Sequence, residues 1–234
     1  MHDLYLIGAG GLALQLCGWF ASGWVQGLRL RGFIDSWGTT GILERLGRAG
    51  DGLTAMTFSS FTAAPADRFV MAVADPGAKR ALLAEACRSC GIAEEQFVAL
   101  MHPSAICSPE CSIGLGRGVV IGPYCIIEPH TLIGDFVTIN MYASVGHDCE
   151  VGAFSTLSPR CAVLGGARVR HDCFLAAGAT VNTGSEVGEH AYVGMNASVI
   201  SAVPPWTRVY GVPARVVEQL PRPDDGASGA GTAP

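Results

Sequence analysis

Aliphatic residues recur at every sixth position through the C-terminal half of this sequence. The pattern holds at fourteen consecutive positions: Ile121, Ile127, Ile133, Ile139, Val145, Val151, Leu157, Val163, Val169, Leu175, Val181, Val187, Val193 and Val199. A small or compact residue follows four positions after each, as Cys125 follows Ile121. A period of six fits neither a helix face, with a period of about 3.6, nor a strand that alternates with a period of about 2. The pattern predicts a β-solenoid, in which short strands stack coil upon coil around an aliphatic interior.

Glycine follows the aliphatic residue in several hexads, as in Ile121-Gly122 and Val145-Gly146. Because glycine adopts backbone angles closed to other residues, we expect these glycines at the corners between strands. Ile113-Gly114 and Val119 predict an earlier coil that is two residues out of phase, which indicates a small insertion or a starting cap. The segment 210–215 resembles the usual ending of such repeats after their last coil.

The N-terminal third has the pattern of a small α/β domain. The predicted elements are a buried strand over 4–7, a glycine-rich turn over 8–11, an apolar helix over about 12–19, a strand over 31–35, a strand over 68–73 and a helix over about 77–90. A glycine-rich turn between a strand and a helix lets a diphosphate approach the backbone, although such turns also occur for packing alone. Asp35 ends the second strand 27 positions after Gly8, as in half of a dinucleotide-binding unit.

Composition narrows the range of partners. The chain of 234 residues carries a net charge of −5, with one lysine against fourteen arginines, which argues against nucleic acid as the main partner. It contains no run of 18 apolar residues, so no membrane span is predicted. No cationic stretch precedes the first apolar segment, so no signal peptide is predicted.

Nine cysteines raise the question of disulfides. Four of them, Cys125, Cys149, Cys161 and Cys173, occupy the small position of the hexad and are predicted to be buried there as small hydrophobic residues. Cys87 and Cys90 form a single C-x-x-C pair, which without a second pair predicts neither a redox nor a metal site. Reduced thiols favour a cytoplasmic location.

The order of these parts resembles a known family. A small α/β domain, the segment Leu100 to Ala105 with His102-Pro103-Ser104, and then the hexapeptide repeat are similar to the sugar acyltransferases of the sialic acid O-acetyltransferase and bacillosamine N-acetyltransferase group, over about residues 3–217. The resemblance implies an α/β Rossmann-like subdomain over 1–100 and a left-handed parallel β-helix over 101–217 with three hexads per coil. The composition of the remaining residues predicts a disordered tail over 218–234. It also implies a nucleotide-sugar substrate, acetyl-CoA as co-substrate, and a homotrimer with active sites between subunits.

The segment Gly146-His147-Asp148-Cys149 matches the family at its proposed catalytic position. The resemblance implies that His147 is the general base and that Asp148 orients its ring and raises its basicity; the alternative is a surface histidine at a corner of the coil. Neighbouring strand residues point to opposite sides, so contact between the two requires the carboxylate to bend back at a corner or act from elsewhere. His171 precedes Asp172-Cys173 four hexads later, which is not a whole number of coils, and is therefore predicted to lie on another face.

No metal site is predicted. The γ-class carbonic anhydrases share this solenoid and bind zinc through three histidines, two of them five apart. No pair of histidines in this sequence has that spacing.

Alignment on His147 carries further positions over from the family. The implied acetyl-CoA contacts are Thr156, Ala177 and Met195, and the implied sugar-nucleotide contacts are Gly10, Gly11, Leu12, Asp35 and Ser36. Three of these depart from the family: Thr156 and Leu12 replace histidines, and Met195 replaces a glycine. Arg215 is placed to meet a CoA phosphate or to be solvated.

The sequence therefore predicts an acetyl-CoA-dependent N-acetyltransferase that acts on the amino group of a nucleotide-linked deoxysugar. A sialic acid-type O-acetyltransferase is the first alternative, because the same base would serve a hydroxyl acceptor. The second alternative is a catalytically silent sugar-nucleotide-binding subunit, which the departures at Thr156, Met195 and Leu12 favour and the intact segment around His147 disfavours.

Overall fold

A four-stranded parallel sheet forms the centre of the N-terminal domain in the computed structural model, which describes residues 1–36, 40–109 and 115–222. The elements are β1 His2–Ile7, α1 Gly11–Ala21, β2 Leu28–Asp35, α2 Thr40–Leu46, β3 Thr54–Thr57, β4 Arg68–Met71 and α3 Pro76–Cys90, with 3₁₀ turns at Gly47–Gly50, Phe58–Ser60 and Glu94–Gln96. The strand order is β3-β2-β1-β4. The three predicted strands and two predicted helices are confirmed, whereas β3 and α2 were missed.

From Leu100 onward the chain forms a parallel β-helix with three faces. Face 1 contains β5 Leu100–Met101, β7 Val120–Ile121, β10 Thr138–Ile139, β13 Thr156–Leu157, β16 Phe174–Leu175, β19 Tyr192–Val193, β21 Thr207–Tyr210 and β22 Arg215–Gln219. Face 2 contains β6 Ile106–Cys107, β8 Ile126–Ile127, β11 Ser144–Val145, β14 Ala162–Val163, β17 Thr180–Val181 and β20 Ser198–Val199. Face 3 contains β9 Leu132–Ile133, β12 Glu150–Val151, β15 Arg168–Val169 and β18 Glu186–Val187.

Three columns of two-residue turns join the faces. Corner 1–2 consists of 103–104, 123–124, 141–142, 159–160, 177–178 and 195–196; corner 2–3 consists of 129–130, 147–148, 165–166 and 183–184; corner 3–1 consists of 117–118, 135–136, 153–154, 171–172, 189–190 and 205–206. Thr138 pairs with Val120 of the coil before it, so each coil takes 18 residues, as three hexads predict. Leu100 pairs with Val120 instead, a spacing of 20 residues, so a two-residue slip does occur at the start. Leu115 already pairs with Ile133 at the regular spacing of 18, and the buried Val119 takes the small position four residues later. The prediction that Val119 belongs to an out-of-phase coil is therefore wrong.

The interior of the β-helix confirms the periodicity. Each of the fourteen aliphatic residues is at most 2% exposed. Their small partners are buried as well, except Ser185, which is half-buried. The four cysteines at the small position are buried. None of the described cysteines forms a disulfide. The narrow core therefore has room for one aliphatic and one small side chain per hexad.

The glycines that follow the aliphatic residues have a different role from the one predicted. The left-handed backbone occurs two positions later, at non-glycine residues such as Tyr124 (φ 57°) and Asp148 (φ 57°). A Cβ on Gly122 would instead lie 2.8 Å from the backbone nitrogen of Met141 in the next coil. Glycine is needed there because stacked coils approach too closely for a side chain.

Helix α3 attaches the N-terminal domain to the β-helix through the chain's one lysine. Lys79 is fully buried, and its Nζ donates to the carbonyl oxygens of Phe136 (3.0 Å), Phe154 (3.2 Å) and Ser155 (3.2 Å) and to Thr156 Oγ1 (2.7 Å). Burial lowers the pKa of Lys79 to about 7, against the opposing effect of nearby carboxylates. All four partners are acceptors, so the contacts favour the ammonium form.

The C-terminal end of the described chain extends the β-helix further than predicted. Strand β22 pairs antiparallel with β21 and joins Glu218 to Arg208, so the strand continues past the boundary placed at residue 217. Residues 223–234 and the predicted Ile113-Gly114 lie outside the described residues. Among the described residues, none of the helices has the length and apolarity needed to cross a bilayer.

Candidate active site

His147 and Asp148 form an exposed pair at corner 2–3. Asp148 has a φ of 57°, which turns its carboxylate back toward the preceding side chain. As a result Asp148 Oδ2 lies 2.8 Å from His147 Nδ1, although the residues are sequence neighbours. The side chains are 63% and 62% exposed, so both are accessible to a substrate. Of the two possibilities that the sequence left open, the structure has the first: the Asp148 carboxylate bends back at the corner to contact His147.

The pair fixes the state of the imidazole. The hydrogen bond that His147 donates to Asp148, together with the charges of Asp148 and Glu128, raises the pKa of His147 above its ordinary value. With its proton on Nδ1 and donated to Asp148, the ring presents the Nε2 lone pair as a base. A histidine held in this way is suited to take a proton at Nε2.

Two residues in adjacent coils complete the surroundings of His147. Glu128, one coil before, accepts the backbone N–H of His147 at 2.9 Å through Oε2. Gly165, one coil after, lies under the imidazole, and a Cβ there would be 2.6 Å from His147 Nε2. Glu128, Gly165, Ser144 and Thr183 line a cavity of about 400 Å³ beside the ring. Sequence reasoning missed Glu128 and Gly165, whose spacing of one coil from His147 was the signal for both.

The predicted acetyl-CoA contacts separate into two groups. Ala177 and Met195 lie together on corner 1–2 and line a groove of about 390 Å³ with Arg160 and Asn196. Met195 is 65% exposed. Thr156 lies elsewhere: it is 1% exposed on face 1, where its hydroxyl donates to the Ala74 carbonyl oxygen at 2.6 Å.

Thr156 also accepts a hydrogen bond from Lys79, so both hydrogen bonds of its hydroxyl lie in the interface between the N-terminal domain and the β-helix. The predicted contact of this hydroxyl with CoA is therefore not supported by its position. The groove on corner 1–2 and His147 on corner 2–3 are separated by the whole of face 2. One subunit alone does not bring them together.

The glycine-rich turn has an open side. Gly10 and Gly11 are exposed, and a Cβ on either would meet nothing within 4 Å. Gly10 is the N-cap of α1 and supplies no side-chain cap. Gly8 is different, because its φ of 98° and the nearby Val73 side chain require glycine for the fold itself.

Asp35 closes the base of this turn. Its Oδ2 accepts the backbone N–H of Ala9 at 3.0 Å, and its Oδ1 accepts the N–H of Ser36 at 2.6 Å. Leu12 is half-buried in the first turn of α1. The five predicted sugar-nucleotide residues therefore surround one edge of the sheet, where β1 and β2 end.

His171 lies on corner 3–1, as predicted, within a cluster of charges. Its Nδ1 is 2.7 Å from Asp172 Oδ2, and Asp172 also accepts from Arg80 Nε (2.5 Å) and Nη2 (2.7 Å). His190 Nε2 is 3.7 Å from the same carboxylate. Possible metal-ligand atoms of His171, Asp172 and His190 lie within 4.8 Å of one another. The bidentate Arg80 contact occupies both carboxylate oxygens and makes this an ion-pair cluster.

Comparisons with known proteins find acyltransferases. The chain is 28% identical over 129 residues to GDP-perosamine N-acetyltransferase of Escherichia coli O157:H7, a stretch covering 53% of this chain and 58% of that protein. It is 28% identical over 117 residues to serine acetyltransferase of Escherichia coli K12, covering 50% of this chain and 37% of that protein. The chain thus spans about half the length of the curated relatives it matches. No protein-family model matches it.

Solved structures match over more of the chain. PerB from Caulobacter crescentus, in complex with CoA and GDP-perosamine, superposes with a TM-score of 0.73 at 28% identity, covering 93% of this chain and 98% of that one. The acetyltransferase domain of PglB from Neisseria gonorrhoeae FA1090 has a TM-score of 0.77 at 23% identity, covering 93% and 100%, which shows the fold. The two curated relatives are acetyltransferases, one named for a nucleotide sugar and one for serine, and PerB was solved with a nucleotide sugar bound. This chain is therefore similar to acyltransferases, and the similarity that covers most of its length is to structures of the sugar-modifying kind.

Proposed function

We propose that this protein is an acetyl-CoA-dependent N-acetyltransferase that acts on the amino group of a nucleotide-linked amino deoxysugar. The observation that carries the proposal is the exposed His147–Asp148 pair on a β-helix similar along 93% of the chain to a structure holding CoA and GDP-perosamine. The shared solenoid alone would not identify the reaction, because one fold hosts many activities. The pair supplies the base that the reaction needs.

In this mechanism the amino nitrogen attacks the thioester carbonyl carbon of acetyl-CoA. His147 Nε2 takes the proton from the nitrogen, while Asp148 stabilises the imidazolium through Nδ1. The C–S bond then breaks, and the proton returns to the thiolate to give CoA and the amide. Glu128 holds the backbone of His147 in place throughout.

The groove on corner 1–2 is the proposed CoA site, with Ala177 and Met195 as its contacts. Arg160 in the groove and the exposed Arg215 beyond it offer guanidinium groups to the phosphates. Thr156 is left out because its hydroxyl serves the domain interface. Since the groove and His147 lie on different corners, the proposal requires copies of the chain to complete the site, and a homotrimer is the arrangement we infer.

The N-terminal sheet is the proposed nucleotide-sugar site, and we infer that it is Rossmann-like and the β-helix left-handed. In the order β3-β2-β1-β4 the topological switch point lies between β1 and β4, where doubly wound sheets bind nucleotides. Gly10 and Gly11 leave the uncapped N-terminus of α1 open to a diphosphate. Leu12, Asp35 and Ser36 border this edge. A cytoplasmic location is part of the same proposal.

The test is an assay of thiol release from acetyl-CoA with UDP-, dTDP- and GDP-linked 3- and 4-amino deoxysugars, alongside matched sugars with hydroxyl groups. Release with one amino sugar, abolished in His147→Ala, is the expected result. Release only with hydroxyl sugars would replace the proposal by an O-acetyltransferase. Binding of a nucleotide sugar with no release from any would indicate a silent subunit.

A further inference from the structure

A cavity at the start of corner 1–2 has no role in the proposed mechanism. It measures about 470 Å³ and is lined by Trp24, which follows α1, by His102 and Met141, and by the rings of Tyr124 and Tyr142. The two tyrosines stack at 5.1 Å with 13° between their planes. Trp24, Tyr124 and Tyr142 are about half exposed, at 48%, 58% and 54%. The walls are therefore aromatic, and no charged side chain lines them.

His102 supplies this cavity with one polar atom that lacks a partner. The residue is 5% exposed, and its Nδ1 accepts the Ser104 backbone N–H at 3.1 Å. Ser104 Oγ accepts the N–H of Tyr124 at 3.0 Å and so donates its own hydrogen to the same Nδ1 at 2.7 Å. Nδ1 is thus an acceptor, which places the proton of the neutral ring on Nε2.

The Nε2–H of His102 makes no hydrogen bond within the described structure. The ring meets Trp19 and Trp24 edge to face, at 5.2 Å and 4.3 Å between centroids. Contact of an N–H with an aromatic face replaces a hydrogen bond only weakly. A buried donor without an acceptor is costly, so a ligand that brings an acceptor to Nε2 gains from the existing arrangement.

The cavity continues into the proposed CoA groove. Met141 and Tyr142 line both, and the groove then follows corner 1–2 past Ala177 to Met195. The basic side chain of Arg160 lines the groove and does not line the cavity. Arg160 lies in the coil next to Met141, whereas Arg215 lies past Met195 at the other end, where Ala214 N donates to the Ser198 carbonyl oxygen. A CoA thioester with its phosphates toward Arg215 would direct its thioester end toward Met141 and its acyl group into the aromatic cavity.

We propose that this cavity is the acyl-group pocket, and that it accepts an acyl chain longer than acetyl that carries a hydroxyl or keto oxygen for His102 Nε2–H. The inference rests on the proposed function, since the thioester is the acyl donor there. The chemistry is unchanged: the amide C–N bond forms, the thioester C–S bond breaks, the amine proton passes through His147, and CoA leaves as the thiol. An acetyl group alone would leave most of the cavity and the Nε2 donor unused.

Steady-state kcat/KM with acetyl-, butyryl- and 3-hydroxybutyryl-CoA, at a fixed amino-sugar concentration, tests the pocket. We expect 3-hydroxybutyryl-CoA to exceed butyryl-CoA by about fivefold, the value of one net hydrogen bond. His102→Asn keeps an acceptor in the place of Nδ1 but removes the Nε2 donor, and should abolish that preference. Trp24→Ala should lower kcat/KM for both four-carbon thioesters by about tenfold while changing acetyl-CoA less than about twofold.

Matched controls separate the pocket from general effects. Leu132→Ala removes an exposed aliphatic side chain on face 3 (58% exposed) and should change none of the three substrates. Tyr142→Ala alters an exposed wall of the cavity, so it keeps the test valid if the buried His102 variant fails to fold. Quenching of tryptophan emission by 3-hydroxybutyryl-CoA, lost in Trp24→Phe, reports binding without turnover.

The outcomes distinguish the two proposals. Transfer from acetyl-CoA with no transfer from either longer thioester overturns the acyl pocket and leaves the proposed function standing. A chain-length preference that survives both Trp24→Ala and Tyr142→Ala also overturns it, because the acyl group must then lie elsewhere. No thiol release from any thioester overturns the proposed function, and if quenching at Trp24 is absent as well, the pocket falls with it.

Discussion

The chain contains two His–Asp–Cys segments on the β-helix, and the structure gives them opposite surroundings. In both, the histidine Nδ1 meets the next carboxylate, at 2.8 Å for His147–Asp148 and 2.7 Å for His171–Asp172. Asp148 is 62% exposed, whereas Asp172 is 2% exposed and held by Arg80 of α3. Beneath His147 lies Gly165, while beneath His171 lies the ring of His190 at 5.3 Å.

The difference shows that a His–Asp contact does not define a catalytic site. A repeat of six places the same segment on different corners, so identical local geometry arises wherever the sequence recurs. What differs is whether the carboxylate has other partners and whether the ring has open space. Asp172 is engaged with Arg80 and supports the attachment of the N-terminal domain. The Asp148 carboxylate contacts the imidazole of His147, and that ring lines a cavity.

Exchanging the two histidines for alanine gives the largest expected contrast. His147→Ala should lower kcat about a thousandfold, because a positioned general base contributes about 10²–10⁴ to the rate. His171→Ala should leave kcat within about threefold of the wild type. Steady-state thiol release at saturating acetyl-CoA measures both. Near-wild-type turnover in His147→Ala would remove the general base from the mechanism, and a collapse in His171→Ala alone would assign catalysis to the other pair.

The space beneath each ring gives the second contrast. Gly165→Ala would place a Cβ 2.6 Å from His147 Nε2 and push the imidazole out of position without straining the backbone. Because displacement of about 1 Å can cost on the order of 10²-fold, we expect kcat to fall by about 10- to 100-fold while the melting temperature changes little. Gly18→Ala is the control, since a Cβ there meets nothing within 4 Å. Unchanged kcat in Gly165→Ala would mean that Nε2 reacts from another rotamer.

The β-helix was predictable because its signal is repeated, whereas the attachment of the two domains was not. Each of the fourteen hexads needs one buried aliphatic residue and one small residue, so a chance substitution at a single position does not hide the pattern. Lys79 gave no such signal: its partners lie 57 to 77 positions away and are mostly backbone carbonyls, which carry no sequence identity. The contacts of the Thr156 hydroxyl with Lys79 and Ala74 gave no signal either, because alignment gives the place of Thr156 on the coil and not what covers it.

The candidate site was predictable as far as it is local. His147 and Asp148 are neighbours in the sequence, and resemblance to a family identified them. The bend that joins them depends on the left-handed backbone of Asp148, and Glu128 and Gly165 reach the ring only through coil stacking. The strand β3 was missed because its four residues, Thr-Ala-Met-Thr, show no clear alternation of buried and exposed positions.

For stability, unlike activity, we expect the larger effect at Asp172 and the smaller one at Asp148. Asp172→Ala should lower the free energy of unfolding by about 2 kcal/mol, below the range of about 3–5 for breaking a fully buried pair, because Arg80 is 48% exposed. Asp148→Ala should change it by less than about 0.5 kcal/mol. Urea denaturation at neutral pH measures both. Equal losses would contradict the different roles of the two carboxylates.

The pH dependence of that difference follows from the pKa of Asp172. Burial raises this pKa, but the hydrogen bonds from Arg80 and His171 outweigh burial and hold it below the ordinary value. A lowered folded-state pKa means that the stabilisation is complete above the unfolded value of about 3.9 and is lost as the pH falls through the lower folded value. The gap between wild type and Asp172→Ala should therefore close only in acid. A gap that closes near neutral pH would assign the effect to a histidine of the cluster instead.

The smallest expected effect concerns the titration of the exposed pair. Asp148 raises the pKa of His147 through its hydrogen bond and its charge, and the base must be neutral to accept a proton. Asp148→Asn should therefore move the acid limb of the kcat/KM–pH profile to lower pH, and only slightly because both groups are solvent-exposed. Glu128→Gln should move it the same way by less, since Glu128 acts on the ring by charge alone. A limb that stays fixed in both variants would belong to another group, such as the amine of the substrate, and His147 would then be neutral across the whole range.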